Sequence, residues 1–85
     1  MNDAAKQLLE HAKLVKAIKA NGWSYETGMM GNEEFTKDIG GLTIRISGFK
    51  DGRSWSLTTT AFKRNFSTLE QAFQAASDFE REINS

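Results

Sequence analysis

The chain contains no cysteine and one histidine, has no run of apolar residues long enough to cross a membrane, and carries no net charge. Each absence removes a class of protein. Without thiols there is neither a disulfide framework nor a thiolate metal site, so packing alone must hold the core, and a reducing, cytoplasmic compartment is expected. The N-terminal stretch "MNDAAKQLLEHAKLVKAIKA" is charged throughout and has no apolar signal region, which predicts a protein that is neither secreted nor membrane-bound. Eleven basic and eleven acidic side chains cancel. No net field then draws the chain onto nucleic acid without regard to sequence. The distribution is less even than the sum: residues 1–66 hold ten basic and seven acidic side chains, and residues 67–85 one and four, so one end of the sequence is mildly basic and the other acidic.

What is present suits a single domain over residues 1–85, with one small core and a net stability of roughly 4–13 kcal/mol. Asn2 or Asp3 caps a first helix whose Ala4, Leu8, His11, Ala12, Leu14, Val15 and Ile18 recur at three- and four-residue steps. Asn21-Gly22 ends it. "WSYET" and "EEFTKDI" then alternate with the period of half-buried strands, separated by "GMMGNEE", and Gly40-Gly41 turns the chain.

The segment "LTIRISGFKDGRSWSLTTTAF" predicts a hairpin closed by a type I′ turn at Asp51-Gly52. Lys50 opposite Arg53 sets Gly48 across from Trp55, Ile46 from Leu57, Ile44 from Thr59 and Leu42 from Ala61. The glycine turn pairs Ile39 with Leu42 and Phe35 with Ile46, and it points Lys37 inward, from where the amine must snorkel to water. Ser67 opens a last helix through the capping box "STLE", with Leu69, Ala72, Phe73, Ala76, Phe79 and Ile83 as its apolar stripe.

The expected fold is therefore α+β in two layers: helix, an antiparallel meander of three or four strands, and helix, with both helices on one sheet face. The opposite face, including Thr43, Arg45, Ser47, Phe49, Ser54, Ser56, Thr58, Thr60 and Phe62, is left open.

Catalytic chemistry finds little purchase. His11 sits on the core arc of the first helix, the placement of a packed rather than a catalytic histidine. Glu33, Glu34 and Asp38 are the one carboxylate cluster. They have no nearby histidine or cysteine in sequence, and Arg45 on the neighbouring strand is a ready ion-pair partner for Glu34. "GMMGNEE" lacks the Lys-Ser/Thr ending of a phosphate loop. No enzyme, metal or cofactor is expected.

Two binding readings remain. Lys6, Lys13, Lys16 and Lys19 on the first helix, with Arg45, Lys63 and Arg64 on the sheet and Phe49 and Phe62 for stacking, would suit nucleic acid. Alternatively, Met29 and Met30, ringed by Glu26, Glu33 and Glu34, join Phe49 and the tip Lys50-Asp51-Gly52-Arg53 in a surface for a protein partner. For the two methionines, exposure and burial under the hairpin both stay open. An uncovered last strand would offer a route to a homodimer.

The segment from Leu14 to Ile46, with its Asn21-Gly22-Trp23 turn, resembles the start of HicA-type mRNA interferases, whose fold is similar to double-stranded RNA-binding domains. That resemblance implies helix, three strands, helix. The catalytic histidine of those toxins falls in the loop or strand after the first hairpin turn, where this chain has Gly31-Asn32-Glu33-Glu34, so the resemblance implies no active site here. In size and style the chain also looks similar to phage and mobile-element antidefence proteins such as anti-CRISPRs. The expected function is a non-catalytic inhibitor or regulator that occupies a partner's surface.

Overall fold

A computed structural model describes residues 3–49 and 54–84. The order is α1 (Asp3–Ala20), β1 (Ser24–Thr27), β2 (Asn32–Ile39), β3 (Leu42–Phe49), β4 (Trp55–Thr58), β5 (Lys63–Phe66) and α2 (Leu69–Asn84). The strands form one antiparallel meander in chain order. This is the α+β fold expected, with five strands in place of three or four.

The registers follow from turn chemistry and strand parity. Gly40 and Gly41 both take positive φ, +57° and +84°, as a type I′ turn requires, and Ile39 pairs with Leu42 and Phe35 with Ile46. Gly48 pairs with Trp55 and Ile46 with Leu57, the register that a two-residue turn at Asp51-Gly52 demands; the turn itself lies outside the described residues. Phe35, Ile44, Ile46 and Leu57 thereby share one face, where they join Ile18 of α1 and Leu69, Ala72 and Ala76 of α2. Each such large apolar side chain contributes about 1.5–3 kcal/mol on burial. Lys37 does turn inward, and its Nζ escapes the core by donating to Asn21 O and to Glu80, both at 2.8 Å.

Three local expectations need correction. β4 stops at Thr58 instead of running on to Phe62, because Thr59 Oγ1 accepts from the backbone N–H groups of Ala61 and Phe62 and closes a turn. The pairs Ile44 with Thr59 and Leu42 with Ala61 are therefore not made. Phe62 leaves the open face for an edge-to-face contact with Phe79, centroids 5.2 Å apart. β5 then covers the strand expected to be the sheet edge, so the edges are β1 and β5.

The capping frame of α2 shifts by one residue: Thr68 Oγ1, not Ser67, accepts from Gln71 N, while Gln71 Oε1 accepts from Ser67 N. "STLEQ" holds two overlapping capping boxes, and the second one is used. On α1, Ala4, Leu8 and Ala12 are expected to face the core. All three are exposed, and of the expected arc only Ile18 is fully buried, with Leu14 and Val15 packed against the core.

Candidate functional site

The turn joining β1 to β2 is a three-residue loop. Gly28 N donates to Asn32 O, Gly31 adopts φ +84°, and Met29 and Met30 occupy the tip. This is a type I turn closed by a left-handed glycine, which holds its two central side chains outward. Met29 and Met30 are 104% and 86% exposed, so the tip is solvent-facing and the alternative of a core cap is removed.

Asn32, the first residue after the loop, pairs with Phe49, which is 54% exposed on the open face. Met29, Met30 and Phe49 thus crowd one end of the sheet. Glu34 lies nearby on the same open face as Phe49, and Arg45 Nε meets its carboxylate at 3.0 Å, the expected cross-strand ion pair. Lys50, Asp51 and Arg53 lie outside the described residues.

Glu33 is the exception among the residues assigned to this surface. It is 4% exposed, on the helix-facing side of β2, and accepts hydrogen bonds from two side chains. His11 Nε2 lies 2.5 Å from Oε1, and Tyr25 donates its hydroxyl to Oε2. The His11 ring packs near that of Trp55, with centroids 6.1 Å apart. Glu33, expected on the solvent-facing rim of the methionine surface, is instead an internal pin that ties α1, β1 and β2 together. A signal for it was present: Glu33 shares strand parity with Phe35 and Ile39, and His11 lies on the core arc of α1.

A histidine oriented by a buried carboxylate is the base-and-orienter half of a catalytic triad. The third member here is attached to the wrong partner, since Tyr25 donates to Glu33. Its phenol is pushed up to about 12, first by desolvation and then by the hydrogen bond to Glu33 and that residue's negative charge. At neutral pH Tyr25 is a hydrogen-bond donor. The sign of the pH dependence follows: between the ordinary 10 and about 12 an unfolded chain has released this proton while the folded chain keeps it. Stability from Tyr25 is complete below pH 10 and is lost as pH rises toward 12. The chain has one tyrosine, so phenolate absorbance reads it directly. The folded protein should ionise there distinctly later than the urea-unfolded chain, and coincident titrations would remove the buried hydrogen bond.

The basic residues do not assemble. Lys6, Lys13, Lys16 and Lys19 lie exposed along α1 on the helix layer. Arg45 and Lys63 sit on the opposite, open face, in one row through Thr58. Arg64 falls on the helix side of β5 and stacks over the Phe62 ring, 5.2 Å from its centroid. The sheet thickness therefore divides the lysines of α1 from Arg45 and Lys63.

A cleft of about 330 Å³ lies between α1 and the start of α2, lined by Glu10, His11, Leu14, Trp55, Thr68 and Glu70 among others. Among the described residues no group of three or more histidine, cysteine or carboxylate side chains is placed to hold a metal ion. Nor is any described helix long and apolar enough to cross a membrane.

No protein-family model, curated protein or solved structure matches the chain.

Proposed function

We propose that the protein is a small non-catalytic binding protein that acts by occupying the surface of another protein, as an inhibitor or regulator, in the manner of phage-type antidefence proteins such as anti-CRISPRs. One observation carries the reading: two fully exposed methionines on a conformationally defined turn stand beside a half-exposed phenylalanine at one end of the sheet. Thioether and aromatic groups offer large, adaptable contact area, and such residues are enriched where proteins grip one another. The paired Glu34 and Arg45 beside them supply a charged rim.

The test separates binding from folding. Met29→Ser combined with Met30→Ser removes exposed groups, so unfolding free energy should change by no more than about 0.5 kcal/mol. The same variant should lose a partner captured by the natural chain, as should Phe49→Ser. Retained capture by both variants would refute the assignment of this surface. Nucleic acid is the second reading, supported by Arg45 and Lys63 sharing a row on the open face. It predicts affinity that falls steeply with added salt and with Lys63→Glu, whereas the methionine surface predicts weak salt dependence.

A further inference from the structure

Cysteine and methionine are the side chains that peroxide oxidises most readily, and this chain has three methionines and no cysteine. Met1 lies outside the described residues. Met29 and Met30 stand at the tip of the turn joining β1 to β2 with essentially complete exposure, so an oxidant reaches both thioethers without any opening of the fold.

The rest of the molecule is built so that oxidation at this tip leaves the fold alone. The core cluster contains no methionine, and Trp23 and Trp55 are buried within it. The bonds that close the turn come from the backbone: Gly28 N donates to Asn32 O at 2.9 Å and Gly31 N to Gly28 O at 3.3 Å. Side chains as exposed as Met29 and Met30 pack against nothing in the body of the protein, so an added oxygen breaks no contact that stabilises it.

We propose that Met29 and Met30 are a reversible oxidation site for peroxide, where conversion to the sulfoxide turns off the binding surface of a protein that stays folded. The inference rests on the protein-binding reading of that surface. A sulfur lone pair attacks one oxygen of hydrogen peroxide and the O–O bond breaks. The transferred oxygen gives its proton to the departing hydroxide, which leaves as water. Sulfur loses two electrons and the peroxide gains them. The product is polar, and a partner's apolar surface that receives a thioether would have to desolvate the new S–O group. Methionine sulfoxide reductase reverses the step, with a dithiol supplying two electrons and the oxygen leaving as water.

Hydrogen peroxide applied to the full-length chain, followed by peptide mass mapping, distinguishes these two residues from Met1. Both should oxidise at the rate of N-acetylmethionine amide, and the circular dichroism and urea midpoint of the product should match those of the untreated chain. Capture of the partner should be lost, then regained after treatment with the reductase and dithiothreitol. Met29→Leu with Met30→Leu keeps the apolar bulk and removes the thioether, so this variant should capture the partner before and after peroxide. Slower oxidation than the free amide, a lowered urea midpoint, or loss of capture by the peroxide-treated leucine variant would overturn the proposal. Capture that persists with both sulfoxides verified, while Met29→Ser with Met30→Ser abolishes it, would refute the switch and leave the surface standing. Unimpaired capture by the serine variant would refute the surface itself.

Discussion

Replacing His11 by alanine is expected to lower the unfolding free energy by about 3 kcal/mol, a large share of the roughly 4–13 kcal/mol available to a chain of this length. Glu33 is nearly inaccessible, and the carboxylate oxygen that faces His11 would lose its hydrogen-bond partner. Tyr25 still donates to the other oxygen, which keeps the cost near the lower end of the range for broken buried pairs. The penalty comes from stranding a charge, so removing both groups should cost less than removing one. His11→Leu combined with Glu33→Met is predicted to be more stable than His11→Ala. Urea unfolding of the single and double variants closes the cycle. A loss within about 0.5 kcal/mol for His11→Ala would mean that the contact contributes nothing.

Gly48→Ala should cost about 1–3 kcal/mol by overpacking. A methyl group built on Gly48 comes within 2.6 Å of Trp55 Cδ2 and Cε3 and 3.0 Å of Ser54 O. The indole rests on the bare backbone of β3, opposite Gly48 in the ladder and next to the His11 ring. Trp55 must therefore shift, and its displacement should appear in the indole N–H resonance and in the emission spectrum. Gly31→Ala provides the contrast. Nothing lies within 4 Å of a methyl group there, but φ is +84°, so its cost of about 1–2 kcal/mol is backbone strain and Trp55 stays in place. An unperturbed Trp55 signal in Gly48→Ala would contradict the packing described for β3 and β4.

The parts of the fold that were legible in the chain are those encoded locally. Gly40-Gly41, the Asp51-Gly52 register and the alternation of Ile44, Ile46, Trp55 and Leu57 point to two hairpins that share β3, and the ladders next to those turns follow them. Lys37 was legible as an inward residue from parity alone. The fifth strand was not, since Lys63–Phe66 is four residues long and places Arg64 on its inward side. What ends β4 is a threonine side chain bonding its own turn, a choice that competes with strand extension at little difference in energy.

The candidate surface divides in the same way. Phe49 was placed on the open face by parity, and it lies there. Glu33 is not legible as a buried residue because the methionine turn before it is exposed and Glu34 after it faces the open side of the sheet. Its burial depends on a histidine twenty-two residues away.

By itself, then, the sequence determined the two helices, the stop of the first, and the registers next to the Gly40-Gly41 and Asp51-Gly52 turns, because capping, turn dihedrals and side-chain alternation act over a few residues. Only the tertiary structure decided that Met29 and Met30 face solvent, that Glu33 does not, and that the start of α1 stands clear of the sheet. Those outcomes depend on which surfaces meet at long range, and a carboxylate's environment is set by neighbours that the chain supplies from elsewhere.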